Sequence, residues 1–231
     1  MNKKIAIITG ATSGIGLALA AYLAKKDYEL LLIARNKEKL EAIKIKLGAN
    51  HMLAPLDVAD HQQVKHAVDQ FAQKHAHIDL LINNAGIAIR GTSELAPEAF
   101  LTMLQTNLVG VFNLVHTVTP YMKQQGSGRI INIASRAGKK ARAPLGGYAA
   151  SKFGVIGLNE ALYKELAPLG IHVTAICPGW VNTPMTADTT TPKEDMMSVD
   201  DIVSTVDYLL HLSPNVSVKE MLLECHRLVG K

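Results

Sequence analysis

The stretch Ile5-Ala6-Ile7-Ile8-Thr9-Gly10-Ala11-Thr12-Ser13-Gly14-Ile15-Gly16 decides the fold of this chain. Four consecutive apolar residues, with no polar alternation, suit a strand buried on both faces. Leu17 to Lys26 then carry apolar side chains at helical spacing, so the glycines fall at a strand-to-helix turn. Glycine there lets the backbone approach a pyrophosphate closely, while the helix N-terminus offers free N–H groups and a partial positive charge. The rival phosphate loop ends in Gly-Lys-Ser/Thr, but Gly16 is followed by Leu17 and Ala18, which excludes an ATPase or GTPase of that kind. A glycine turn that serves only helix packing is the plain alternative.

The same pattern repeats along the chain. Strands are expected near residues 4–9, 28–33, 50–54, 78–82, 128–134, 171–176 and 219–224, with helical patterns between them. Such alternation predicts an α/β domain: a doubly wound, Rossmann-type parallel sheet of about seven strands with helices on both faces. Ligand then lies beyond the C-terminal strand ends, where strand order reverses. Thr9, Asp57, Asn83 and Ser135 all fall at or just after such ends.

Tyr148 and Lys152 stand four residues apart, which puts a phenol and an ammonium on one helix face, one turn apart. A cation within roughly 4–6 Å favours a phenolate, and such a phenol can exchange protons with an alcohol or carbonyl. Tyr–Lys pairs at this spacing also occur on exposed helix faces, so the pair gains meaning from its companions.

Those companions resemble the short-chain dehydrogenase/reductase family over nearly the whole chain. Its Thr-Gly-x-x-x-Gly-x-Gly turn corresponds to Thr9, Gly10, Gly14 and Gly16, and its Asn-Asn-Ala-Gly signature to Asn83-Asn84-Ala85-Gly86. Its catalytic set corresponds to Asn107, Ser135, Tyr148 and Lys152, with Ser135 preceding Tyr148 by 13 residues, and its motif after the sixth strand to Pro178-Gly179 with Thr183. The resemblance implies hydride transfer between a nicotinamide and a carbonyl or alcohol carbon, with Tyr148 as general acid/base. Ser135 would orient the substrate oxygen. Lys152 would hold the nicotinamide ribose and depress the Tyr148 pKa, and Asn107 would support a water relay to Lys152. Cofactor contacts are expected from Thr9, Gly10, Thr12, Ser13, Gly14, Ile15, Gly16, Asn83, Ala85, Gly86, Tyr148, Lys152, Pro178, Gly179, Val181 and Thr183. Asp57 and Val58 resemble the pair that contacts the adenine ring, although an Asp at a strand end is also a common helix cap.

Cofactor choice turns on the end of the second strand. An acid about 20 residues beyond the glycine turn binds the ribose 2′-hydroxyl of NAD. Ala34 and Arg35 stand there instead, so Arg35, assisted by Asn36, is the candidate for the 2′-phosphate of NADP, and NADP(H) is expected over NAD(H). Some family members that prefer NADP also carry a basic residue just before the second glycine of the turn; here that position is Ser13.

At 231 residues the chain fits a single domain over 1–231, able to bury roughly 70–75% of its unfolded surface. Two cysteines, Cys177 and Cys225, are too few for a disulfide framework and lack metal-ligand spacing, which suits a reducing cytoplasm. No unbroken run of 18 apolar residues predicts a membrane span. A net charge of +4 with one tryptophan and no aromatic–basic interleaving argues against nucleic-acid binding.

Two segments are expected to line the substrate pocket by resemblance. The first carries Arg136, Lys139, Lys140 and Arg142 without an acid, and either attracts an anionic substrate or acyl carrier or forms a solvated loop or subunit contact. The second, Met185 to Ser198, reads as a mobile lid. Helices over about 98–124 and 147–168 are those through which family members pair, which implies a homotetramer or homodimer. Two alternatives stay open: a 3-oxoacyl thioester reductase of the same family, and a non-catalytic NADP-sensing regulator.

Overall fold

A computed structural model describes residues 3–48 and 50–229. The expectation of one domain over 1–231 extends to residues 1, 2, 49, 230 and 231, which lie outside the described residues. Seven strands form one parallel sheet: β1 (Ile5–Thr9), β2 (Glu29–Ala34), β3 (Met52–Pro55), β4 (Leu80–Asn83), β5 (Gly128–Ile133), β6 (Ile171–Pro178) and β7 (Glu220–Leu223). Their order is β3-β2-β1-β4-β5-β6-β7, so the direction of winding reverses between β1 and β4. Thr9 and Asn83 end the two strands that flank this reversal.

The helices are α1 (Gly14–Lys25), α2 (Lys37–Leu47), α3 (His61–His75), α4 (Pro97–Leu104), α5 (Gly110–Gln125), α6 (Gly146–Leu166) and α7 (Val199–His211). Strand side chains alternate between two cores, as the period of two demands. Ile5, Ile7, Leu31 and Ile33 pack with Phe71 of α3, Leu114 of α5 and Val155 of α6. Ala6, Ile8, Leu30 and Leu32 pack with Leu19 and Leu23 of α1, Leu40 of α2 and Ile202 of α7. Both faces of the sheet are thereby covered, which is why the central strands read as continuous apolar runs.

One expected element is divided. The helix over about 98–124 is α4 and α5 joined by a π-helical turn, Gln105–Val109. A single wide turn is a hydrogen-bonding feature that the apolar pattern did not locate, and Gly110 just after it packs closely, since a Cβ there would lie 2.5 Å from Cγ2 of Val58. The continuous stretch Pro97–Gln125 is long and apolar enough by composition to cross a membrane, with mean hydropathy 1.2. Yet Val111, Leu114, Val115, Val118 and Met122 of α5 are core residues packed on the sheet.

Candidate active site

The glycine turn between β1 and α1 is built for close approach. Gly10 and Gly14 have φ of +66° and +50°, a left-handed conformation that costs glycine little. Gly16 answers a different need, since a Cβ there would stand 2.3 Å from the carbonyl oxygen of Gly10. Ser13 caps α1 by position but its side chain makes no capping bond, which leaves the first N–H groups of the helix open to a ligand.

Thr9 and Asn84 brace this turn. Oγ1 of Thr9 accepts from the N–H groups of Asn84 and Ala85, both at 2.9 Å. Nδ2 of Asn84 donates to the carbonyls of Thr9 at 3.0 Å and Gly10 at 3.3 Å. Asn83 is the expected contact and Asn84 is not, although both stand in the Asn83-Asn84-Ala85-Gly86 signature. The Asn83 side chain turns into the sheet, where Nδ2 donates to Oδ1 of Asn132 at 2.9 Å, and Asn132 donates on to Asn159 at 2.9 Å.

Ser135, Tyr148 and Lys152 line one cavity of about 340 Å³ beyond the strand ends. Ile15, Gly86, Pro178, Gly179, Val181 and Thr183 also line it. Ser135 lies two residues beyond β5 and its Oγ accepts from the N–H of Ala137 at 3.0 Å. Lys152 is buried, and its Nζ donates to the carbonyl of Ile133 at 2.9 Å. Asn107 is not on the cavity wall. It lies behind it, fully buried, with Oδ1 accepting from the N–H of Ile87 at 2.8 Å and Nδ2 donating to Ile87 carbonyl at 2.9 Å.

The electrostatics correct one expectation. Lys152 was read as the group that depresses the Tyr148 pKa, but burial pushes the Tyr148 phenol up, and the opposing influence is a side-chain hydrogen bond with Ser135. Burial also pulls Lys152 down to about 8, against a smaller upward influence of Cys177. Both groups are penalised in their charged forms because they share a site poor in water.

The residues expected to meet the adenosine end are not part of this cavity's lining. Arg35 is exposed just beyond β2, and Oδ1 of Asn36 is occupied as the cap of α2, accepting from the N–H of Lys39 at 2.7 Å. Oδ1 of Asp57 accepts from the N–H of Ala59 at 2.9 Å, and Val58 is buried against Gly110. Thr12 is partly exposed beside the turn.

The basic run is not a uniform patch free of acids, because β7 and the residue just after it supply two acids from the far end of the sequence. Arg136 pairs with Glu224 at 2.9 Å, and Lys139 with Glu220 at 3.1 Å. Lys140 and Arg142 line the cavity, and no ion pair among the described residues involves them. Arg90, Trp180 and Asp188, none of them expected from the sequence, join that lining. Trp180 directly follows Pro178-Gly179 and was open to inspection there. Arg90 had no local signal, since its loop reaches the cavity through a tertiary bond from the N–H of Gly91 to the carbonyl of Pro144 at 2.9 Å.

The segment expected as a lid supplies Met185, Thr186, Asp188 and Thr189–Thr191 to the cavity wall. Thr183, two residues before it, lies over the glycine turn, since a Cβ on Gly14 would stand 3.1 Å from Cγ2 of Thr183. Its far end is tied back by the N–H of Met197, which donates to the carbonyl of Trp180 at 2.9 Å.

Comparison with known proteins agrees with this geometry. The sequence model of the family described as short chain dehydrogenase matches residues 4–194. A protein named as a putative ketoacyl reductase of Streptomyces coelicolor is 39% identical over 204 residues, covering 86% of this chain and 78% of its own. The crystal structure of a β-ketoacyl-ACP reductase (FabG) from Bacteroides thetaiotaomicron superposes with a TM-score of 0.88 at 37% identity, covering both chains fully. A structure of actinorhodin polyketide ketoreductase with NADPH has a TM-score of 0.89 at 32% identity, again over the full length of both. Sheet order, glycine turn and matched sequence all coincide: the chain belongs to the short-chain dehydrogenase family, oxidoreductases that act on carbonyl and alcohol groups.

Proposed function

We propose that this chain is an NADP(H)-dependent reductase of carbonyl compounds, reversible toward the alcohol. The observation that carries the reading is the meeting of Ser135, Tyr148 and Lys152 on one cavity wall beside the glycine turn. The residues fit a dinucleotide: the first turn of α1 is uncapped, Gly10 and Gly14 leave the backbone bare, and Arg35 stands exposed at the end of β2. When bound, the nicotinamide supplies or accepts the hydride. Tyr148 gives its proton to the substrate oxygen in reduction and takes one in oxidation. Ser135 donates a hydrogen bond to that oxygen and steadies the phenol. Lys152, as a cation, holds the ribose hydroxyls, while Asn107 supports a water relay to Lys152. The adenosine end is assigned to Arg35, Asn36, Asp57 and Val58, and the remaining contacts to Thr9, Thr12, Ser13, Ile15, Gly16, Asn83, Ala85, Gly86, Pro178, Gly179, Val181 and Thr183.

For the substrate, 3-oxoacyl thioesters are favoured by the ketoacyl reductases among the relatives and by Lys140 and Arg142 at the cavity, which suit an anionic carbonyl compound. A non-catalytic NADP sensor is disfavoured because all four residues of the catalytic set are present. The protein is proposed to work as a homodimer or homotetramer in a reducing cytoplasm, with Cys177 and Cys225 free. A turnover screen of neutral carbonyls, keto acids and acyl thioesters with NADPH tests the reading. Oxidation of NADPH dependent on one of these classes supports it, and inactivity across all of them rejects it.

A further inference from the structure

Ser151 precedes Lys152 in the chain, and its hydroxyl is fully buried with both of its bonds made. It donates to the carbonyl of Tyr148 at 2.7 Å and accepts from Nδ2 of Asn107 at 3.0 Å. A serine bonding back to its own helix is ordinary. The bond to Asn107 is not, because it crosses from α6 to the π-helical turn 44 residues earlier. Asn107 also accepts from the N–H of Ile87 through Oδ1 and donates its other N–H to the carbonyl of Ile87. One hydroxyl therefore joins three pieces: the loop after β4, the π-helical turn, and the first turn of α6 that carries Tyr148.

The approach is possible because α6 is narrow on this side. Gly147, Ser151 and Gly154 lie four and three residues apart and so share a face. A Cβ on Gly147 would stand 2.4 Å from Cδ2 of Leu95, and one on Gly154 would stand 2.8 Å from Cδ2 of Leu108. Small residues bring the helix in, and the serine hydroxyl then supplies the acceptor that the Asn107 amide needs.

We infer that Ser151 is a positioning residue, whose hydroxyl locks the first turn of α6 to Asn107 so that Tyr148 meets the cavity in reacting geometry, while Lys152 keeps its own tether to the Ile133 carbonyl. The inference rests on the reductase reading above. Removing the hydroxyl leaves one N–H of Asn107 buried without an acceptor, and the π-helical turn and α6 shift to relieve it. The need is for an acceptor and not for volume, and cysteine separates the two: it is close in size to serine, but its sulfur is a weak acceptor.

The test compares Ser151→Ala and Ser151→Cys in the full-length protein. Both variants are expected to lower kcat for carbonyl reduction by about tenfold or more, with the KM for NADPH within about twofold of wild type, the split expected when a group acts in the transition state alone. In both, the Ile87 amide is expected to exchange its hydrogen faster, because its acceptor on Asn107 is loosened. A Ser151→Cys protein with wild-type kcat overturns the assignment. So does a parallel collapse of kcat and NADPH affinity, which marks a merely structural residue. If Ser151→Ala fails to fold, Ser151→Cys decides alone. A wild-type protein inert toward every carbonyl sinks the reductase reading instead, and Ile87 exchange then judges Ser151 without turnover: unchanged exchange in both variants overturns it.

Discussion

Nζ of Lys152 stands 5.8 Å from the ring centroid of Tyr148 and donates to the carbonyl of Ile133 at 2.9 Å. The ammonium is thus tethered to the end of β5 while facing the phenol from one helical turn away. In the proposed mechanism proton exchange with substrate falls to Tyr148, and Lys152 is left to hold the cofactor.

Tyr148→Phe keeps the ring and its packing but deletes the exchangeable proton. Turnover should fall by roughly 10²–10⁴-fold, the usual worth of a general acid/base. NADPH binding should be nearly unchanged. Emission from Trp180, the single tryptophan and a lining residue of the cavity, offers a readout of binding independent of turnover. A variant retaining most of its activity would remove Tyr148 from the mechanism.

Lys152 carries a pH dependence whose sign follows from its depressed pKa of about 8. Below that value the side chain is a cation able to hold an anionic cofactor, and above it the amine is neutral. Affinity for NADPH should therefore weaken as pH rises through about 8 in wild type. Lys152→Met should bind more weakly at pH 7 and lose this step. Titrations of the two proteins across that range, followed by Trp180 emission, check the sign.

Arg35 is exposed where a family member specific for NAD would place an acid. A charge-assisted contact with the 2′-phosphate is worth roughly 1.5–3 kcal/mol, and exposure argues for the lower end, so NADPH should be favoured over NADH by about tenfold. Arg35→Asp should reverse the order. Equal affinities of the wild-type protein for the two cofactors would defeat the assignment.

Of the four cations between Ser135 and Tyr148, only Lys140 and Arg142 both line the cavity and lack an acidic partner among the described residues. Replacing both with Gln should raise KM for keto acids and acyl thioesters while sparing neutral carbonyls. Lys139→Gln should change little, since Lys139 is spent on Glu220. Salt should mimic the double variant in wild type at saturating NADPH, because exposed charges are screened over about 8–10 Å at 0.1–0.15 M ionic strength.

Leu101, Phe112 and Phe153 are 56%, 51% and 47% exposed on α4, α5 and α6, the helices expected to join subunits. Large apolar groups left bare on neighbouring helices suit burial against a second copy. Light scattering should report a dimer or tetramer at micromolar concentration, and Phe112→Glu with Phe153→Glu should shift it toward the mass of one chain. A monomeric wild-type protein would reject this.

The sheet, its helices and the positions of Thr9, Ser135, Tyr148 and Lys152 were legible in the sequence because each depends on local pattern. Apolar runs mark buried strands, glycines mark the turn, and a spacing of four marks one helix face. Strand ends came out within a few residues, as with β4, expected near 78–82 and found at Leu80–Asn83. What local pattern does not carry is which distant side chains share a space. The pairing of Arg136 with Glu224 spans 88 residues, and that of Asn107 with Ser151 spans 44. The first turned a uniform basic loop into two tethered and two free cations. The second, with the π-helical turn that makes it possible, gave Ser151 a place in the site. The balance of charge at Tyr148 and Lys152 was likewise decided by the tertiary structure, because desolvation depends on everything packed around a group and not on its neighbours in the chain.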